Sequence, residues 1–137
     1  MALDLYLQKD ASFPPTNIDG HFLAFDDDGY FWFLYSPFFE EVAKETGRAI
    51  DLYDGGFFHG SDLDLFGRLI AQVREQLKEK PDVWKECTGT IVYQDEGKVE
   101  KSYSTVVKSR LEEILSKLEQ AIGEAKNKNI GIYFYGD

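Results

Sequence analysis

The chain has a single cysteine, Cys87, among its 137 residues, and that scarcity removes two ways of fastening a small fold. No intramolecular disulfide can form, and no cysteine pair is there to hold a structural zinc ion. A solitary cysteine is ordinarily a small buried apolar residue. A nucleophilic role would need a base beside it, and the two histidines, His21 and His59, are far from it in sequence. Long apolar runs are also missing: the longest, Tyr30–Tyr35, falls well short of the ~20 residues that cross a bilayer. At the start, Met1-Ala2-Leu3-Asp4 puts an acid where a secretory signal carries a basic residue, so the expectation is a cytoplasmic protein. Positive charge is scarce too. Against 25 acidic side chains there are 15 basic ones, for a formal net charge of −10. This argues against nucleic acid or an anionic membrane as partner, because phosphate binding needs clustered Lys and Arg. A charged partner should be basic.

Catalytic signatures are lacking as well. The sequence contains no glycine-rich phosphate loop ending in Gly-Lys-Ser/Thr, no dinucleotide glycine fingerprint, no serine nucleophile elbow and no paired-histidine zinc helix. With so few histidines, general bases are scarce. The chain is read as non-enzymatic, with no cofactor and no metal.

What is abundant is apolar and aromatic surface, 43% and 15% of the residues, enough to offset ordering entropy. A single globular domain over residues 1–137 is expected, burying roughly two thirds of its unfolded surface. Leu3–Gln8 alternates as a half-buried strand, and Ala11–Gly20 has loop composition. His21–Phe25 and Tyr30–Tyr35 read as two strands of a hairpin turning at Asp28-Gly29. Ser36-Pro37 predicts a helix start, and Gly47 its end; Ala49–Tyr53 suits a further short strand. Ser61-x-x-Asp64 suggests a capping box ahead of the stripe Leu63, Phe66, Leu69, Ile70, Val73 and Leu77, which Pro81 ends. Thr88–Gln94 and Lys98–Val106 read as a second hairpin across Asp95-Glu96-Gly97. A last helix carries Val107, Leu111, Ile114, Leu115, Leu118 and Ile122, with an internal capping signal at Ser109-x-x-Glu112, and Ile130–Tyr135 reads as a final strand. The order predicts an α+β domain: a mainly antiparallel sheet, made of two hairpins and the terminal strands, with about three helices packed on it.

Three places invite a functional reading. Asp26, Asp27 and Asp28 gather carboxylates that could take a hard cation, yet they lack the spacing of a calcium loop; the favoured reading is a solvated turn or surface patch. A small metal-dependent enzyme using this cluster with His21 or His59 is the alternative. Around the second place, Asp54-Gly55-Gly56-Phe57-Phe58-His59-Gly60, the aromatics form either a binding lip or a cap on the core. Asp62 and Asp64 follow at the next helix start, where they occupy the field an anion would need. Trp84 is the third, read as a core cap.

Residues 1–60 hold 11 acids against 3 bases and 14 of the 21 aromatics, whereas the remainder is nearly balanced in charge. Acids around aromatic anchors suit docking onto a cationic protein. An acidic α+β chain opening on Leu3–Gln8 and closing on Asn129-Ile130-Gly131-Ile132-Tyr133-Phe134-Tyr135-Gly136-Asp137 resembles the bacterial immunity proteins that neutralise polymorphic or contact-dependent toxins. The resemblance implies a stoichiometric inhibitor that binds a basic toxin domain, often a nuclease. That class spans many folds, so it carries no residue roles with it. Read from the residues, the partner-binding candidates are Asp26, Asp27, Asp28, Asp54, Phe57, Phe58, His59, Asp62 and Asp64. The alternatives are the metal-dependent domain and a homo-oligomer joined by its aromatic surface; monomer and homodimer both stay open.

Overall fold

The computed structural model describes residues 2–12 and 21–136; of the loop expected over Ala11–Gly20, only its first two residues are among them. Strand β1 (Ala2–Gln8) buries Leu3, Leu5 and Leu7 on one face, as its alternation predicts. It lies between β2 (His21–Asp26) and β6 (Gly131–Gly136), and β6 also pairs with the short β3 (Gly56–Phe58). Every pairing in this four-stranded sheet is antiparallel. A separate antiparallel ribbon joins β4 (Val83–Tyr93) to β5 (Lys98–Val107). The fold is α+β with two antiparallel sheets, as the element order leads one to expect.

Helices α3 (Ser61–Lys78) and α4 (Lys108–Lys128) pack on each other and bury the predicted apolar stripes. Six phenylalanines join the elements: Phe31, Phe38, Phe39, Phe58, Phe66 and Phe134 are each 1% exposed or less. Phe66 lies 5.2 Å from Phe58, 5.4 Å from Phe38 and 6.0 Å from Phe134 between ring centroids.

The first expected hairpin does not form. Tyr30–Tyr35 is helical: α1 (Gly29–Leu34) leads into a π-helical segment, Tyr35–Phe39, and then into α2 (Glu40–Thr46). An unbroken aromatic run hides its own period, and here the buried residues Phe31, Leu34, Phe38 and Val42 recur at helical spacing. Asp28 is no turn residue but the N-cap. Its carboxylate accepts from the Tyr30 and Phe31 amides, at 2.9 and 3.3 Å. Gly29 is required by packing, since a Cβ there would stand 2.6 Å from Val106 Cγ2 on β5. Ser36-Pro37 falls inside the helical run instead of starting it. Proline has no amide hydrogen and crowds the carbonyl four residues back; the wider π turn, closed by the Glu40 amide donating to Tyr35 O, accommodates it. Gly47, with φ at 74°, ends α2 as expected.

Three other local expectations are also corrected. Ala49–Tyr53 forms no strand: Ala49 and Ile50 are irregular, and a tight turn closes between Asp51 and Asp54, with the Asp51 carboxylate accepting from the Tyr53 amide at 2.8 Å. Ser61 opens α3 without acting as a side-chain cap, the preceding Gly60 turning at φ 62°. Ser109 and Glu112 lie inside α4, which starts directly from β5, and Val107, expected on the helix stripe, is the last residue of β5 and exposed.

Candidate functional site

The stacked pair Trp32 and Tyr35 projects from the one-sided helical run, with ring centroids 5.4 Å apart and planes 2° from parallel. Across a hollow stand Asp51, Leu52 and Tyr53, with Phe31 in the floor. Tyr53 is 67% exposed. The Trp32 indole N–H donates to the carboxylate of exposed Asp27 at 2.7 Å. Tyr53 is shared with a second hollow that includes Asp54, Gly55 and residues 133–136 of β6. Together they form a track of aromatic rings and carboxylates on the surface.

The expected site residues divide by what their side chains do. Asp26 and Asp27 are exposed, Asp54 is exposed with its carboxylate on the Gly55 amide, and none of these three has a cationic partner among the described residues. The same holds for Asp51, which the sequence reading did not single out; its only signal was its place between Ile50 and Leu52, both buried. Asp28 is committed to its cap. Burial holds its carboxyl above the usual range, Asp26 adding to this, against the pull of the Phe31 and Tyr30 amides and of Arg110. Asp62 is paired with Arg48 at 2.6 Å, and Asp64 with Lys126. Both therefore tie elements together: Asp62 ties α3 to the chain after α2, and Asp64 ties α3 to α4.

Residues 54–60, expected as a loop, contain strand β3, held by its pairing with β6; Phe58 is fully buried there under the Arg48 guanidinium, which lies 4.3 Å above its ring, so of the two readings of this segment the core cap holds for Phe58. Phe57 is half-buried and stacked on exposed His59 at 5.4 Å. Trp84 caps the core as expected, edge-on to Phe33 at 5.3 Å, with its N–H on Glu86. Cys87 departs from expectation and is exposed on the ribbon.

His21 stands at the opposite end of β2 from Asp26, with its Nε2 2.9 Å from Asp4. Among the described residues, no three His, Cys, Asp or Glu side chains gather as a metal site would require, and no helix is long and apolar enough to cross a membrane. On the outer face of β1 and β6, burial raises the pKa of Tyr6, helped by Asp4 and Tyr135, and that of Tyr133, helped by Tyr135. Comparison with family models, curated proteins and solved structures finds no match to this chain.

Proposed function

We propose that the chain is a non-enzymatic cytoplasmic binding protein that takes a basic protein partner onto the Trp32–Tyr35–Tyr53 hollow, in the manner of an immunity protein neutralising a toxin domain. The observation that carries this reading is that Asp51 and Asp54, which have no cationic partner among the described residues, line hollows that share exposed Tyr53 with half-buried Trp32 and Tyr35, and that Asp27, likewise without one, holds the Trp32 indole. A lysine or arginine entering the hollow meets an aromatic face, worth about 0.5–2 kcal/mol, and finds a carboxylate within the same cleft. Charge on the rim steers encounter, while buried rings slow departure. This surface lies within the first sixty residues, where the sequence concentrates both acids and aromatics.

Calorimetric titration with an oligo-arginine peptide tests the site. Binding should weaken as salt rises and should be lost in the double variant Asp27→Asn/Asp51→Asn. Peptide that binds the variant as well as the parent chain would overturn it. The immunity role predicts a neighbouring gene for a basic toxin domain that forms a one-to-one complex with this chain; failure of the chain to protect cells from that domain would remove the role.

A further inference from the structure

The ribbon β4–β5 carries an apolar face that nothing in the described chain covers. Its root packs through Trp84 and Val106 against α1, but residues 89–103 are exposed without interruption. Tyr53 apart, every exposed large hydrophobic side chain among the described residues is on this ribbon. A two-stranded hairpin alone is marginal in water.

The register sorts the side chains by face, because directly opposed residues of an antiparallel pair point the same way. The face turned away from α1 carries Val83 opposite Val107 at the root, Cys87 opposite Tyr103 at the middle, and Val92 opposite Val99 near the tip. Between them lie Lys85 opposite Thr105 and Thr90 opposite Lys101. Read from either end the order is the same: a valine pair, a lysine–threonine pair, the Cys87–Tyr103 pair, a threonine–lysine pair, a valine pair. The face contains no acid, and neither lysine has an ion pair among the described residues.

We propose that this face is a two-fold interface on which a second copy of the chain lays its own ribbon antiparallel, about an axis crossing the Cys87–Tyr103 pair. Such an interface must be complementary to itself, and this pattern is. With β4 over β4 and β5 over β5, Val83 and Val107 meet Val92 and Val99 of the second copy. Each lysine then faces a threonine instead of another lysine. The tip, where Glu96 pairs with Lys98 at 3.5 Å and Asp95 has no ion pair among the described residues, reaches the root of the second copy, where Lys108 and the amino end of α4, which has no side-chain cap, offset Asp82 and Glu112. Laying the ribbons parallel would also match valines, but would set acidic tip against acidic tip. Strands of this length span ~35 Å, so ribbon and tips together bury on the order of 1,000 Å², the lower end for a specific interface. The dimer is therefore reversible. The proposal does not depend on the role of the Trp32–Tyr35–Tyr53 hollow.

Sedimentation of the full chain under reducing conditions, from about 1 µM to about 500 µM, should show dimer growing with concentration. Tyr103→Lys, which sets two ammonium groups against each other on the axis, should raise the dissociation constant at least about tenfold with the circular dichroism spectrum unchanged. As the chain has one cysteine, a short bis-maleimide can link only two molecules, and it should do so in the parent chain and not in Tyr103→Lys. A monomer at every concentration, or a dimer indifferent to Tyr103→Lys, would overturn the proposal.

Discussion

Trp32 and Tyr35 lie with their rings parallel, 5.4 Å between centroids, and Asp27 holds the indole from one side. Three residues apart on a helical run, they share a side of it and present one flat aromatic wall. Trp32→Ala removes half of that wall together with the indole donor. Binding of an oligo-arginine peptide should fall by about 1–2 kcal/mol, or roughly tenfold, and thermal unfolding should shift as well, by less than for a fully buried ring, because Trp32 is half-buried against the core edge and Phe31. Calorimetry and a melting curve on the same sample check both halves.

Phe58 and Tyr53 separate core from surface. Phe58→Ala leaves a cavity beneath Arg48 and beside Phe66 and should cost about 3–5 kcal/mol in urea unfolding. Tyr53→Ala, at an exposed position, should stay within about 0.5 kcal/mol and lower peptide binding instead.

At Gly29 the contact with Val106 is close enough that a methyl group cannot be added without displacing β5 or α1. Gly29→Ala should destabilise by about 1–3 kcal/mol despite its better helix propensity. The paired variant Gly29→Ala/Val106→Ala should recover part of the loss, a coupling that a double-mutant cycle reads directly.

For Asp28 the sign of the pH effect follows from its raised pKa. Because the folded pKa lies above the unfolded one, the group favours folding most fully below the unfolded value, and that contribution is lost as pH rises through the folded value. Asp28→Asn keeps the cap without the buried charge, so its stability relative to the parent chain should improve between acid and neutral pH. Asp28→Ala also loses the cap; it should cost about 1 kcal/mol more than Asp28→Asn at every pH, while showing the same pH trend relative to the parent chain. Chemical denaturation at several pH values separates the two.

The terminal strands β1 and β6 and the long helices were legible because their periods are clean: Leu3, Leu5 and Leu7 alternate, and the stripe from Leu63 to Leu77 repeats every three or four residues; β3, three residues among glycines, has no period to read. Tyr30–Tyr35 was not, because six consecutive apolar side chains satisfy strand and helix patterns alike, and only the tertiary partners Val106 and Trp84 settle which face is buried. Of the candidate site, the acids of residues 26–28 and 54 were visible as composition, but their roles were not. Asp28 spends its oxygens on a helix end and Asp62 on an arginine fourteen residues earlier, a distance no local pattern spans. The ribbon looked like ordinary scaffold because its valines suit a half-buried strand; that nothing covers them is a property of the assembled fold.

The π turn around Pro37 also fixes how the chain answers a change in length. A turn closing on the fifth residue holds one residue more than an α turn, so the extra residue is already absorbed there, and Val42 faces the core beyond it. Deleting Pro37 should therefore leave a regular helix with Val42 still turned inward. Removing one residue from α3 would swing everything downstream by about 100°, taking half of the stripe out of the core. Residues 35–39 are the part of the helical run in which the fold can lose a residue and keep its phase.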